Sequence, residues 1–284
     1  MVEDANTEDM RKLIIILFGI LLLFPLYWML NGSLQNIRLL MKFPPKFIPT
    51  DPSLSNYVFL FSHTMIPRWF ANTVAMWSIG TTLSVFSVSC AAYAFAFFDF
   101  KFKKVLYWIV LIPLFIDGYV LIIPRFIVMS KLGLIGTWWP VLLIGGCSPV
   151  GVVMLMHYFR SLPRALLDAA RIDGLTEIGA LFRIILPNCT PILAYFMITG
   201  FSRVYQDILW PLMTLPNRAS HPITLGVMDY LNRFYTIGGN SGTGNLRLGV
   251  ELAGGVVLFV PLLVVFVMFQ KIIRQQFVMG GIKE

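Results

Sequence analysis

The residues with the clearest chemical potential are charged and polar side chains inside long apolar stretches. Asp117 and Arg125 lie within one such stretch, and the consecutive residues Tyr205, Gln206 and Asp207 lie within another. A charge at the centre of a bilayer costs about 2.5–3.5 kcal/mol on insertion scales, so it should face protein or water. We predict that Asp117 and the polar triplet line a route across a membrane. The alternative is that these charged side chains lie near the membrane–water interface, where they form ion pairs or extend their polar ends into water.

The composition explains why these stretches dominate the chain. Of the 284 residues, 57% are hydrophobic and 13% are charged, and the mean hydropathy is +0.78. Soluble domains carry about 45–50% apolar and about 25% charged residues. Disordered chains need low hydrophobicity and high net charge. The composition therefore excludes both classes and indicates a membrane protein.

Six apolar stretches are long enough to position these side chains inside a membrane, because a spanning helix needs about 20 residues. They are residues 13–30, 70–98, 105–129, 138–159, 186–213 and 248–270. Their continuous apolar runs lack the alternation of a membrane β-barrel. Prolines inside the runs should kink the helices rather than end them. We therefore predict an all-α polytopic membrane protein with about six transmembrane helices.

The net charge of +8 has an explanation in the topology of these spans. In a soluble protein such a charge would suggest nucleic acid as a partner. Here Lys and Arg are denser in the segments that would face the cytoplasm if both termini lie inside. Because cytoplasmic loops of membrane proteins are enriched in Lys and Arg, we predict cytoplasmic termini and no nucleic-acid partner.

The segment between the fourth and fifth spans, residues 160–187, has the pattern of a helix–break–helix elbow. Pro163 suits the start of a helix, Gly174 fits the left-handed position that ends one, and Thr176 can cap the next. An apolar stripe with spacing i, i+3, i+4 and i+7 then follows, formed by Ile178, Leu181, Phe182 and Ile185. Such an elbow between two spans can push on a soluble partner or be pushed by it.

This elbow resembles the "EAA" loop of the membrane subunits of ABC importers. The matching residues follow the spacing E-A-A-x3-G-x9-I-x-L-P, with Asp in the place of the usual Glu, and are Asp168, Ala169, Ala170, Gly174, Ile184, Leu186 and Pro187. The run from Ala169 through Arg171 to Gly174 looks like the carbohydrate-uptake, maltose-permease-like branch. Weaker similarities lie in Phe70-Ala-Asn72-Thr73, in Ala92-Tyr93-Ala94 and in the segment from Tyr205 to Pro211.

The resemblance covers about residues 70–284 and implies a type I importer permease with cytoplasmic coupling helices. Residues 1–69 would then form the first transmembrane helix and an extracytoplasmic loop, and residues 70–284 the permease core. The ATPase-coupling loop would use Asp168, Ala169, Ala170, Arg171, Gly174, Leu186 and Pro187. Asp168 would approach a basic group on the ATPase, and Gly174 would allow the bend. The alternative is an ordinary amphipathic loop helix in which Asp168 and Arg171 pair on the surface.

The resemblance also implies partners and a location. A second permease subunit, giving a heterodimer, two ATP-binding cassette subunits and an extracytoplasmic solute-binding protein would assemble with this chain, surrounded by membrane lipid. The chain has no Walker motif, so we expect no enzyme activity, cofactor or metal in it, and we expect ATP and Mg to bind the partner ATPase. It would lie in the bacterial cytoplasmic (inner) membrane.

The function that follows is that of a permease subunit in an ATP-driven importer, with oligosaccharides as the expected solutes. Three alternatives remain at this point. They are a proton- or ion-coupled secondary transporter, an ABC importer permease for a non-sugar solute, and a membrane scaffold without solute flux.

Overall fold

A computed structural model describes residues 2–35, 47–49, 51–146, 148–238 and 247–280, and within these ranges it contains helices and no β-strand. The α-helices, in chain order, are α1 Val2–Ser33, α2 Ser55–His63, α3 Ile66–Phe97, α4 Lys103–Leu111, α5 Ile122–Lys131, α6 Trp139–Ile144, α7 Pro149–Ser161, α8 Arg164–Ile172, α9 Glu177–Ala180, α10 Thr190–Gln206, α11 Leu209–Thr214, α12 Ile223–Gly238 and α13 Arg247–Gly280. The predicted all-α class is confirmed.

Four of the six predicted spans correspond to continuous helical segments that are long and apolar enough to cross a membrane. These segments are Met10–Ser33, Ile66–Phe97, Glu177–Gln206 and Leu248–Gln270. The predicted stretch 186–213 extends beyond Gln206 and is interrupted at Asp207–Ile208, between α10 and α11. The two remaining apolar stretches are also divided. Residues 105–129 contain α4, a 3-10 turn at Ile112–Phe115 and α5, whereas residues 138–159 contain α6 and α7.

The divisions lie where proline and glycine disturb the helical hydrogen bonds. Pro113 lies in the 3-10 turn that ends α4. Pro149 begins α7, where its missing N–H costs nothing, and the Ser148 side chain accepts a hydrogen bond from the backbone N–H of Gly151. Pro261, by contrast, lies inside the continuous helix α13. The prediction that internal prolines do not end the spans is therefore wrong at Pro113 and Pro149, whereas the helix continues through Pro261 as predicted.

The chain forms two compact units. One comprises Met1–Ile66 with Val227–Leu263, and the other comprises Pro67–Gly226 with Val264–Glu284. In the first unit the Asn56 side-chain amide donates hydrogen bonds to the backbone carbonyls of Ser33 and Gln35, which ties α2 to the end of α1. The boundary predicted between residues 69 and 70 stays a prediction.

The second unit has a core shared by the apolar helices and the elbow of residues 160–187. Its buried residues come from α3, α7, α8 and the segment that begins with α9, and they include Val88, Ala92, Leu155, Phe159, Leu167, Ala170, Leu181, Ile185 and Phe196. Within a bilayer such contacts stabilise the helices through close van der Waals packing rather than through transfer from water. The elbow is therefore held by the same packing that holds the spans together.

Candidate coupling loop and translocation cavity

The first helix of the elbow, α8, has one buried face and one exposed face. Leu167 and Ala170, three positions apart, are 5% and 0% exposed. Asp168, Ala169 and Arg171 are exposed. Because residues three apart share a helix face, α8 packs against the spans through one side. The acidic residue and the neighbouring alanine then form a surface that a partner can contact.

The break after α8 depends on the backbone of Gly174. Its φ is +76°, in the left-handed region that glycine enters without penalty. The N–H of Gly174 donates to the carbonyl of Arg171 at 3.1 Å, and the N–H of Leu175 donates to the carbonyl of Ala170 at 3.0 Å. These two bonds form a Schellman motif. A Cβ on Gly174 would have no heavy atom within 4 Å, so conformation and not space requires glycine here.

The second half of the elbow is less regular than its sequence predicts. The Thr176 hydroxyl caps α9, as expected, by accepting the N–H of Gly179 at 3.1 Å. After Ala180 the chain enters a π turn at Leu181–Ile185 and a 3-10 turn at Leu186–Cys189 that contains Pro187. The wider π turn changes the direction of the side chains.

The predicted apolar stripe is therefore only partly right. Leu181 and Ile185 are buried, at 2% and 1% exposed, but Ile178 is 68% exposed. Leu186 is also buried, whereas Pro187 is exposed. The buried side chains of Leu181, Ile185 and Leu186 pack the end of the elbow against the core of the second unit.

A buried tyrosine of α3 connects the elbow to the spans. Tyr93 is 4% exposed, and its hydroxyl donates to Oε2 of Glu177 at 2.6 Å. Nε of Arg171 donates to Oε1 of the same carboxylate at 2.9 Å, which raises the pKa of Arg171. Arg171 thus bonds to Glu177 across the break at Gly174. The alternative interpretation of the elbow, an ordinary loop helix, predicted a pair between Arg171 and Asp168 instead. Sequence reasoning missed Glu177, and the Ala92-Tyr93-Ala94 similarity was the one signal pointing to Tyr93.

Asp117, Gln206 and Asp207 line one cavity of about 440 Å³. The other side chains around it are Tyr119, Ile122, Arg125, Ile144, Ser202, Arg203 and Trp210, together with Gly118. Tyr205 is not among them: it is 5% exposed, and its ring stacks on Phe201 with centroids 5.1 Å apart. Successive helical residues point about 100° apart, so the polar triplet divides between the cavity and the core.

The two carboxylates of the cavity lie at helix breaks. Oδ1 of Asp207 accepts the backbone N–H of Trp210 at 3.1 Å, between α10 and α11. Oδ1 of Asp117 accepts the backbone N–H of Tyr119 at 2.8 Å, in the segment between α4 and α5. Each carboxylate therefore stabilises a turn and also faces the cavity.

Arg203, to which sequence reasoning assigned no role, lies between this cavity and a smaller one. Its guanidinium lies so close to Gly145 that a Cβ there would overlap it, whereas a Cβ on Gly80 would only touch it at 3.9 Å. The lining thus combines two guanidiniums, two carboxylates, an amide and an indole. Such a set can donate and accept hydrogen bonds with a polar solute.

Comparison with known proteins places these features in one family. The family described as binding-protein-dependent transport system inner membrane component matches residues 83–278. The arabinooligosaccharides transport system permease protein AraQ of Halalkalibacterium halodurans is 33% identical over 238 residues, 84% of this chain and 82% of that protein. The sulfoquinovosyl glycerol transport system permease protein SmoH of Agrobacterium fabrum is 30% identical over 92% of this chain and 89% of that protein.

A solved structure shares the fold. The crystal structure of a bacterial ABC transporter involved in the import of the acidic polysaccharide alginate aligns with a TM-score of 0.81 at 21% identity, over 95% of this chain and 97% of that one. The family match covers more than half of the chain, and the named relatives are transport permeases covered over most of their length. The chain is therefore a multi-pass inner-membrane protein and belongs to the binding-protein-dependent transport system inner membrane components, the permease family of ABC importers that its elbow predicts.

Proposed function

We propose that this chain is the permease subunit of an ATP-driven importer of oligosaccharides and that it forms half of the translocation path. The observation that carries the proposal is the elbow, whose buried side packs into the core of the spans while Asp168 and Ala169 remain exposed. A rigid connection of this kind can convert movement of a bound ATPase into movement of the spans. The names of the relatives, AraQ among them, support oligosaccharides as the solute class.

The partners would be a second permease subunit, two ATP-binding cassette subunits and an extracytoplasmic solute-binding protein. ATP and Mg would bind the cassette subunits, and this chain would hold no cofactor. Both termini and the elbow would face the cytoplasm, with Asp168 approaching a basic group of the ATPase. ATP would close the two cassette subunits against each other. The closed cassettes would bind the outward-open arrangement of the permease more tightly than the inward-open one, and so would favour it.

The charges of the cavity support a solute rich in hydroxyl groups. Its lining contains two acidic side chains, Asp117 and Asp207, and two basic ones, Arg125 and Arg203. The formal charges of these side chains therefore sum to zero when all four are ionised. Such a lining offers hydrogen bonds without selecting strongly for either sign of net charge. Trp210 adds an aromatic side chain of the kind that packs against the C–H faces of a sugar ring.

The test compares two glycine variants in the complete importer reconstituted in vesicles. Gly174→Val should leave assembly and ATP hydrolysis intact and abolish ATP-driven oligosaccharide uptake, because a β-branched residue resists the left-handed conformation. Gly133→Val is the matched control, since Gly133 also has a positive φ, +68°, and open space around it. Equal uptake by both variants would contradict coupling through the elbow. Uptake driven by a proton gradient without ATP would favour a secondary transporter instead.

A further inference from the structure

A separate cavity, of about 420 Å³, lies where the end of α3, the start of α4 and the end of α7 meet. Its lining shares no residue with the translocation cavity and consists of Phe95, Asp99, Lys103, Lys104, Tyr107, Met156, His157 and Arg160. Arg160 is also the first residue of the elbow segment. The cavity therefore lies at the same end of the spans as the coupling loop, and the importer function proposed above gives it no role.

The charges around this cavity are predominantly positive. Lys103, Lys104 and Arg160 are cationic, and Asp99 is the one carboxylate among the described residues that line it. Nζ of Lys103 contacts Oδ1 of Asp99 at 3.1 Å, but the Asp99 side chain is fully exposed, and ion pairs in that setting contribute little. Arg160 donates to the carbonyl of Phe95 at 3.1 Å, which fixes its guanidinium at the wall. A net positive charge therefore remains for an anion.

The helices that supply this lining also carry exposed apolar side chains. On α4, Val105, Trp108 and Ile109 are 55%, 60% and 55% exposed, and on α7 Val150 and Met154 are 42% and 36% exposed. In a membrane protein such side chains contact acyl chains. The helices around the cavity thus combine cationic side chains in the lining with apolar side chains elsewhere on their surfaces. Basic pockets between membrane helices are the arrangement that binds anionic lipid headgroups.

We propose that this cavity binds the phosphate headgroup of an anionic membrane phospholipid, with the acyl chains lying along α4. The phosphate contacts the amines of Lys103 and Lys104 and the guanidinium of Arg160. The volume is within the range of small-ligand sites, about 300–1,000 Å³. A lipid bound there fills the junction of three helices next to the elbow.

The test measures how much phosphatidylglycerol the full-length chain retains after extraction from vesicles of equal parts phosphatidylglycerol and phosphatidylethanolamine, by native mass spectrometry. Lys104→Gln should lower the retained phosphatidylglycerol roughly fivefold, the effect of one basic side chain near an anionic surface. Asp99→Asn should raise it, because the lining loses its carboxylate. Lys131→Gln, an exposed lysine that lies outside the cavity lining, should leave it unchanged.

Three results would overturn the proposal. Retention that is the same in the Lys104 and Asp99 variants as in the unaltered chain would exclude a site in this cavity. An equal loss in the Lys131 variant would show only a general effect of charge. Displacement of the lipid by millimolar glycerol phosphate would show a site for free phosphate compounds rather than for a phospholipid.

Discussion

The hydroxyl of Tyr93, buried in α3, donates a 2.6 Å hydrogen bond to the carboxylate of Glu177 in the elbow. The same carboxylate accepts a bond from Arg171 on the other side of the break at Gly174. Glu177 thereby joins the membrane span to both halves of the elbow. A force applied to α8 reaches α3 through this carboxylate as well as through the apolar core.

Removal of the Tyr93 hydroxyl should weaken the link between α3 and the elbow without creating a cavity in the core. Tyr93→Phe retains a ring that packs edge-on against Phe97 and Phe159, but Glu177 loses its buried donor. A hydrogen bond to a charged group contributes about 1.5–3 kcal/mol net. We expect a fall in the thermal unfolding midpoint and a fall in uptake per ATP hydrolysed.

Tyr158→Phe is the control for this prediction. Its hydroxyl donates to the backbone carbonyl of Asn188 at 3.1 Å and is exposed, so its loss should leave uptake per ATP unchanged. The role of Tyr93 is contradicted if both variants transport with the same stoichiometry.

The division of the polar triplet leads to a prediction about solute affinity. Gln206 is exposed to the cavity and Tyr205 is not. Gln206→Ala should raise the KM for uptake about threefold to tenfold, since one hydrogen bond to the solute is lost. Tyr205→Phe should change protein stability but not KM. Uptake measured over a range of solute concentrations gives the KM of each variant. A higher KM in the Tyr205 variant alone would show that Tyr205, and not Gln206, contacts the solute.

Two glycines beside Arg203 give a matched steric test. Gly145→Ala places a methyl group on the guanidinium and must displace it, whereas Gly80→Ala creates an ordinary contact of 3.6 Å with Leu142. We expect the first variant to move the guanidinium away from its place in the cavity lining and to lower transport, with little change in the unfolding temperature because a flexible side chain can shift. The second should be tolerated, with a gain from helix propensity of about 0.5–1 kcal/mol. If both variants transport as well as the unaltered chain, the Arg203 guanidinium does not lie beside Gly145 in the functioning protein.

Local signals predicted part of this structure, and distant pairings could not be predicted. The conformation of Gly174 and the cap at Thr176 follow from residue types alone, because each depends on a few neighbouring backbone atoms. Hydropathy found the apolar stretches but not the divisions at Ile112–Phe115 and before Pro149, since it measures polarity and not hydrogen-bond continuity. The bond between Tyr93 and Glu177 joins positions 84 apart, and only the packing of α3 against the elbow brings them together.

The surface of the elbow provides the most direct test of the ATPase partner. Asp168→Lys reverses a charge on the exposed face of α8 and should prevent stable association with the cassette subunits, because two basic groups would then meet. Asp173→Lys is the control, since Asp173 is also exposed and follows the same helix. Asp168→Glu restores the residue usual in the family and should preserve both association and transport. Co-purification of the cassette subunits with each variant measures the effect, and equal recovery with the two lysine variants would show that Asp168 is an ordinary surface carboxylate.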